Sequence, residues 1–209
     1  MPAPAAVHII DDDESLRRAL DSLFRSVGWQ TRLYASVAQF LDRPRHDGPE
    51  CLVLDIRLPG MSGLDFQSHL TQIGVRVPVI LMTGHGDIPM SVRGMKAGAV
   101  DFLTKPFRDQ DMLDAVSAAL VFDGKRRVEE EHMSDLRGLF ATLSPREQQV
   151  MALVASGKMN KQVAGDLQLS EVTVKIHRGA AMRKMKARSL ADLVRMAEIL
   201  ALRSPANDL

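Results

Sequence analysis

The sequence predicts an α/β domain of the (βα)5 type, followed by an all-α domain of four helices. The first 120 residues alternate short apolar runs with amphipathic segments, which is typical of a parallel sheet covered by helices on both faces. Residues 142–209 show helical periodicity and helix-start signals but no strand pattern. The length of 209 residues also exceeds the usual single domain of about 100 to 150 residues, which favours two domains.

Five apolar runs are predicted to form the strands of the parallel sheet. They are Val7 to Ile10, Gln30 to Tyr34, Cys51 to Leu54, Val77 to Met82 and Val100 to Leu103. The predicted helices between and after them are Leu16 to Val27, Ser36 to Asp42, Gly63 to Gln72, Ile88 to Ala97 and Asp109 to Phe122. Gly28 stands where a left-handed cap is expected, Gly98 ends the fourth helix, and Asp87 is predicted to cap the start of that helix.

The C-terminal part is predicted to be helical throughout. Residues 123–141 carry dense mixed charge with a partial apolar seam, which favours a largely helical linker and leaves open whether it continues the preceding helix. The run from Ser144 to Glu147 has the pattern of a capping box, with Pro145 at the first helical position, so a helix is expected to reach Ser156. Three polar residues are predicted to cap the next helices: Asn160, Ser170 and Ser189. The expected domains are residues 1–122 and 142–209, joined by the linker 123–141.

Charge and composition narrow the class of protein. Residues 1–122 carry 12 Lys and Arg against 15 Asp and Glu, whereas residues 142–209 carry 11 against 6. This difference indicates that only the C-terminal part meets nucleic acid. No apolar run approaches the roughly 20 residues that span a bilayer, and residues 1–6 lack a secretory signal, so the protein is expected to be cytoplasmic with no membrane partner. Cys51 is the single cysteine and is expected to be a packed core residue.

Polar residues follow the predicted strands at the points where the strands end. Asp11 and Asp12 follow the first strand and Asp55 follows the third, and the carboxyl ends of parallel strands line one crevice. Several carboxylates this close are costly unless a cation lies among them, and Mg²⁺ prefers such oxygen ligands. A carboxylate beside Mg²⁺ can act as a nucleophile toward a phosphoryl group, with Thr83 and Lys105 offsetting charge on the transferred oxygens. A single Asp at a strand end is usually a turn residue, so the prediction depends on all the strand ends together.

The stretches VHIIDDDESLRRAL, CLVLDIRLPGMSGLDF, VPVILMTGHGD and MKAGAVDFLTKPF resemble the flavodoxin-like receiver domain of bacterial response regulators, over residues 6–120. The resemblance implies that Asp55 is the phosphoacceptor. It implies a Mg²⁺ site with the following contributors: Asp11, Asp12, Asp55 and the main-chain carbonyl of Arg57. Thr83 and Lys105 would contact the phosphoryl group, and the Lys105–Pro106 peptide bond would be cis. Phe102 would turn inward as Thr83 moves, which alters the surface formed by the fourth helix, fifth strand and fifth helix.

Residues 140–204 are similar throughout to the LuxR-type helix-turn-helix, and their joining to a receiver resembles the NarL/FixJ class. The pattern TGHGDIPMSVRGMKAGAVDF is closest to regulators of nitrogen fixation and aromatic catabolism. The helix from Glu171 onward would enter the major groove, with Lys175 and Ile176 facing base edges. The other residues expected at the DNA are Asn160, Lys161, Thr173, His177, Arg178 and Lys184. Gly179 departs from many relatives, which carry a larger side chain there, and it costs about 1 kcal/mol of helix stability relative to Ala.

The resemblance implies a phosphorylation-dependent transcriptional regulator of a two-component system, and not an enzyme. Its expected partners are a sensor histidine kinase, promoter DNA and RNA polymerase, with a homodimer forming on phosphorylation and Mg²⁺ as the cofactor. Two alternatives stay open at this point. One is a Mg²⁺-dependent phosphatase or phosphotransferase, although haloacid-dehalogenase-type enzymes have a second Asp where this chain has Arg57. The other is a DNA-binding protein whose receiver is not phosphorylated.

Overall fold

The computed structural model describes residues 3–84 and 88–200. The chain forms two compact units that divide between Arg127 and Val128. The first contains a five-stranded sheet with helices on both faces, and the second is helical in its described residues. The predicted order of an α/β domain and then an all-α domain is therefore confirmed.

The elements of the first unit match the predicted (βα)5 pattern, with strand ends that differ by at most two residues. The strands are β1 (Ala6–Ile10), β2 (Gln30–Tyr34), β3 (Glu50–Asp55), β4 (Val79–Thr83) and β5 (Asp101–Thr104). The helices are α1 (Glu14–Ser26), α2 (Val37–Leu41), α3 (Gly63–Gln72), α4 (Ile88–Lys96) and α5 (Asp109–Ala141). The second unit adds α6 (Pro145–Ala155), α7 (Asn160–Leu167), α8 (Glu171–Lys184) and α9 (Leu190–Ile199).

The sheet is parallel throughout, with the strand order β2-β1-β3-β4-β5. Successive residues of a strand point to opposite faces, so each strand supplies both cores. On one face Val7 and Ile9 of β1 pack with Phe24 of α1 and with the first turns of α5. On the other face Ile10 packs with Phe40 of α2 and with α3. The strand order reverses between β1 and β3, and ligands of open α/β sheets bind at the carboxyl ends of the strands at such a point.

Most helix ends follow the capping signals in the sequence. Ser144 and Glu147 form the predicted capping box, and the side chains of Ser170 and Ser189 accept backbone N–H groups at the starts of α8 and α9. The prediction that Asn160 caps α7 is wrong, because Met159 holds the cap position and Asn160 is the first helical residue. The side chain of Gln162 accepts the N–H of Met159 at 2.8 Å, which leaves the Asn160 side chain for another contact. The predicted cap at residue 87 lies outside the described residues.

Helix α5 is continuous from Asp109 to Ala141, so the linker does continue the preceding helix. Its start packs on the sheet through Met112, and Leu136 near its end lies in the core of the second unit. The first compact unit extends past the expected domain end at residue 122. The reason is that Asp123, although it begins the charged segment, is fully buried and accepts the backbone N–H of Glu50 at 2.9 Å.

Candidate phosphorylation site and nucleic-acid interface

Three carboxylates meet at the carboxyl ends of β1 and β3. The register pairs Ile10 with Leu54, so Asp11 and Asp55, which follow them, are brought side by side. Asp12 adds a third carboxylate, and one oxygen from each of the three lies within 4.8 Å of the others. Asp11 is fully buried, Asp55 is nearly so, and Asp12 is exposed. The structure therefore brings together the acidic residues that the sequence predicted to converge.

Lys105 lies just beyond β5 and joins two of these carboxylates. Its Nζ donates to Asp11 Oδ2 and to Asp55 Oδ2, both at 2.7 Å. The backbone N–H of Lys105 donates to the carbonyl oxygen of Thr83 at 2.7 Å, which ties the end of β5 to the end of β4. The Lys105–Pro106 peptide bond is cis, as the resemblance implied. One ammonium thus stands against three carboxylates.

Backbone N–H groups bind the second carboxylate oxygen of Asp11 and of Asp55. The N–H of Asp13 donates to Asp11 Oδ1 at 2.8 Å, and the N–H of Arg57 donates to Asp55 Oδ1 at 2.9 Å. Burial raises the pKa of Asp11, and the hydrogen bond from Lys105 only partly offsets this effect. Burial also disfavours the charged form of Lys105, but its hydrogen bonds to Asp11 and Asp55 outweigh burial and raise its pKa. The site therefore keeps an excess of negative charge around a fixed ammonium, which fits a hard divalent cation.

Thr83 and Phe102 occupy different surroundings. Thr83 ends β4 beside the carboxylates and is fully buried. Phe102 pairs in register with Leu81 and packs, partly buried, against the core on the α2 to α4 side. A Cβ on Gly94 of α4 would lie 2.5 Å from Leu81 Cδ1 and 3.7 Å from Phe102 Cδ2, so the absence of a side chain there lets α4 approach β4 closely. Phe102 thus lies on β5 beside Gly94 of α4.

The second unit contains the predicted helix-turn-helix. Gln168 adopts a left-handed conformation with φ of 55° and ends α7, and Ser170 then begins α8. Val174, Ala181 and Met185 are fully buried, as predicted for the inner side of α8. Met182 is only partly buried at the edge of this core. Helix α8 therefore has a fixed inner face and an outer face open to a ligand.

The residues expected at the DNA differ in how they are engaged. Asn160 Oδ1 accepts a hydrogen bond from Arg178 Nη1 at 3.1 Å, and Lys184 Nζ donates to Glu147 Oε2 at 2.6 Å. The hydroxyl groups of Thr173 and the capping Ser170 lie 2.8 Å apart. The remaining four divide by exposure: Lys161, Lys175 and Ile176 are exposed, and His177 is partly buried.

One exposed apolar residue on α8 was not among the predicted contacts. Val172 is 66% exposed and lies one helical turn before Ile176, which is 63% exposed. Large apolar side chains on an outer face beside unpaired cations are typical of a binding surface. Its spacing from the buried Val174 could have identified Val172 from the sequence, because residues two apart on a helix lie on different faces.

Comparison with known proteins identifies both domains of the chain. The family described as "Response regulator receiver domain" matches residues 7–117, and the one described as "Bacterial regulatory proteins, luxR family" matches residues 141–197. The chain belongs to the response regulators with a LuxR-type DNA-binding domain. This response regulator therefore acts as a transcription factor of a two-component system, which implies a histidine kinase and DNA as partners.

Relatives of similar length support the same family. Nodulation protein W of Bradyrhizobium diazoefficiens is 57% identical over 198 residues, which cover 95% of this chain and 87% of that protein. Transcriptional regulatory protein FixJ of Azorhizobium caulinodans is 43% identical over 208 residues, which cover 100% and 98%. The solved structure of response regulator StyR has a TM-score of 0.83 at 47% identity and covers 94% of this chain and 99% of its own. The resemblance to the NarL/FixJ class is confirmed. Among the described helices of this response regulator, none is both long and apolar enough to cross a bilayer.

Proposed function

We propose that Asp55 of this response regulator accepts a phosphoryl group and that the phosphorylated protein binds promoter DNA as a homodimer. The observation that carries this proposal is the ammonium of Lys105, which is hydrogen-bonded to both Asp11 and Asp55 at 2.7 Å beside a third carboxylate. A carboxylate that is held by donors and lies next to a fixed cation is suited to attack phosphorus.

The proposed transfer balances without a further reactant. An oxygen of Asp55 attacks the phosphorus of a phosphohistidine on the kinase and forms an acyl phosphate. The P–N bond breaks, and its electron pair stays on the imidazole. The ammonium of Lys105, which contacts Asp55, would donate to the oxygens of the transferred phosphoryl group and offset their negative charge. Mg²⁺, when bound by Asp11, Asp12, Asp55 and the main-chain carbonyl of Arg57, would neutralise charge between the two acidic partners.

The proposed readout begins at the same strand ends. A phosphoryl group on Asp55 offers new acceptors to the Thr83 hydroxyl, and movement of Thr83 leaves space into which Phe102 can turn. Phe102 lies next to Gly94, so its rotation changes the packing of α4 against β5. The altered surface of α4, β5 and α5 is the proposed homodimer contact.

At the DNA, Lys175 and Ile176 are proposed to face base edges, with Val172 extending the apolar strip toward thymine methyl groups. The other proposed contacts are to phosphates, from Asn160, Lys161, Thr173, His177, Arg178 and Lys184. Asn160 and Lys184 already have partners within the domain, so their contribution is expected to be smaller than that of Lys161. The DNA-bound regulator is proposed to interact with RNA polymerase. The proposed location is the cytoplasm, where promoter DNA lies.

A DNA-binding assay on the full chain tests this function. The probe is a duplex selected by the protein from a randomised pool, and affinity is compared with and without acetyl phosphate and Mg²⁺. We expect acetyl phosphate to tighten binding by wild type and by Asp65→Asn, which alters an exposed carboxylate of α3, but not by Asp55→Asn. Equal tightening in wild type and Asp55→Asn would contradict the proposal.

A further inference from the structure

Gly179 leaves a gap on the outer side of the recognition helix α8. A Cβ built on Gly179 would have one neighbour within 4 Å outside the local helix backbone, the Nη1 atom of Arg183 at 3.8 Å. Side chains of an α-helix lean toward its N-terminus and cover the preceding turn. The guanidinium of Arg183 thus lies beside Gly179, where no side chain covers the helix.

Arg183 is available for a ligand because it is not engaged within the domain. Arg178 and Lys184 of the same helix are held by Asn160 at 3.1 Å and by Glu147 at 2.6 Å. Among residues 3–84 and 88–200, the guanidinium of Arg183 has no hydrogen-bond or ion-pair partner, and neither does the ammonium of Lys175. Two cations of α8 are therefore ready to meet an acceptor without first breaking a contact.

The lean of Arg183 also brings it toward the reading end of the helix. Lys175 and Arg183 are eight positions apart, which is about 12 Å along a helix axis. Because the Arg183 guanidinium lies next to Gly179, it is displaced by about one turn toward Lys175. A Cβ at residue 179 would be in ordinary van der Waals contact with Arg183, and a longer side chain there would extend into the space next to the Arg183 guanidinium.

We propose that Arg183 reads a guanine in the major groove through the gap at Gly179, next to the base pair that Lys175 contacts. The proposal rests on the proposed function, in which α8 is the recognition helix. Arginine can donate two parallel hydrogen bonds to O6 and N7 of guanine, which gives sequence preference as well as affinity. Arg183 would thereby contact the base that residue 179, as a glycine, has no side chain to contact.

Selection from randomised duplexes tests this role with the full chain, treated with acetyl phosphate and Mg²⁺. We expect Arg183→Ala to lose the preference for guanine at one base pair by about tenfold to a hundredfold, while the other positions keep theirs. Arg183→Lys keeps the charge but loses the planar pair of donors, so it should weaken the same preference less than Arg183→Ala does, with little change in salt dependence. Gly179→Leu should relax the same base pair, because its side chain displaces Arg183.

Arg146→Ala is the matched control, since it removes an exposed cation of α6 that bonds Gln149 and should leave the selected sequence unchanged. Two results would overturn the inference. One is an unchanged selected sequence in Arg183→Ala. The other is equal weakening for all sequences with a lower salt dependence, which indicates a phosphate contact. If wild type selects no sequence, the proposed function itself fails, so the two failures are distinguishable.

Discussion

Both ends of the central sheet bury carboxylates, but they differ in the number of cations beside them. At the carboxyl ends of the strands, Asp11, Asp12 and Asp55 face Lys105, and we call this group the carboxyl-end cluster. At the start of β3 lies the amino-end cluster, whose charged members are Arg43, Glu50, Asp123, Arg126 and Arg127. The carboxyl-end cluster has three acids and one cation, whereas the amino-end cluster has two acids and three cations.

Both acids of the amino-end cluster have donors within the protein, although the buried Nε of Arg43 has no hydrogen-bond partner among the described residues. Glu50 accepts from Arg127 Nη2 at 2.9 Å and lies 2.9 Å from His8 Nε2. Asp123 accepts the N–H of Glu50 at 2.9 Å and the Nε of Arg127 at 2.6 Å, and it also pairs with Arg126. Burial alone would raise the pKa of Glu50, but the bond to His8 and the nearby arginines hold it below its usual value.

The contrast is between buried acids whose charge the protein neutralises and buried acids whose charge it leaves in excess. In the amino-end cluster every acid is neutralised by the protein, and the cluster attaches the start of the charged part of α5 to β3. In the carboxyl-end cluster the protein leaves negative charge uncompensated. Binding of a cation would therefore reduce the repulsion among the three carboxylates. A buried carboxylate thus has paired cations at one end of the sheet, whereas at the other end it belongs to the site that we propose to be phosphorylated.

Removing one acid from each cluster should change stability by different amounts. Asp123→Asn removes a fully buried carboxylate that contacts Arg126 and Arg127, and only Arg127 is also paired with Glu50 in the ion pairs given above. It should lower the free energy of unfolding by about 3 to 5 kcal/mol. Asp55→Asn relieves repulsion and should stay within about 1 kcal/mol of wild type, or exceed it. Urea unfolding without Mg²⁺, followed by Trp29, measures this, because that single tryptophan lies in the first unit beside Phe24. A comparable loss of unfolding free energy in both variants would contradict this difference between the two clusters.

Mg²⁺ should stabilise only through the carboxyl-end cluster. A ligand that binds the folded state at about 100 times its dissociation constant adds about 2.7 kcal/mol. We expect Mg²⁺ to raise the midpoint of the Trp29 transition in wild type and in Asp123→Asn, and to have much less effect on Asp12→Asn. Ca²⁺ and Na⁺ titrations at matched ionic strength serve as the controls. Loss of the response in Asp123→Asn alone would contradict the division between the clusters.

Acid should weaken the amino-end cluster through His8, which is fully buried on β1. Burial lowers the pKa of His8 below 6.5, against the opposing effect of Glu50. As the pH falls, His8 of the unfolded chain is protonated before His8 of the folded protein. The contribution of neutral, buried His8 to the free energy of unfolding is therefore fully present above pH 6.5 and is lost as the pH falls below it. The other groups facing His8 are Tyr34, Arg43 and Arg32.

The steepest slope that one such proton can give is about 1.4 kcal/mol per pH unit. We expect the unfolding free energy of wild type to fall between pH 6.5 and 5.5 and that of His8→Gln to fall less steeply. His69→Gln on α3 is the control and should keep the wild-type slope. The role of His8 is refuted if His8→Gln and wild type show parallel pH profiles.

The carboxyl-end cluster could be predicted from the sequence because the geometry of a parallel sheet forces it. Residues that follow neighbouring strands must meet, so the positions of Asp11 and Asp55 were fixed once the strands were recognised. Local signals were equally effective at Ser144 and Ser170, where capping depends on residues three apart in sequence. In each case the relevant contact is set by regular local structure.

The amino-end cluster could not be predicted in this way. Asp123 and Glu50 are 73 positions apart, and the mixed charge after residue 122 is typical of a solvated linker. The same limit applies to Asn160, whose side chain bonds Arg178 on the next helix instead of capping its own. Such contacts depend on tertiary packing, which no local pattern encodes.

Intact-mass analysis after incubation with acetyl phosphate and Mg²⁺ tests the phosphoacceptor assignment most directly. We expect one phosphoryl group on wild type and on Asp65→Asn, and none on Asp55→Asn. Asp123→Asn, measured at a temperature where it is folded, should still be labelled, because its cluster lies at the other end of the sheet. Equal labelling of wild type and Asp55→Asn would contradict the assignment of Asp55.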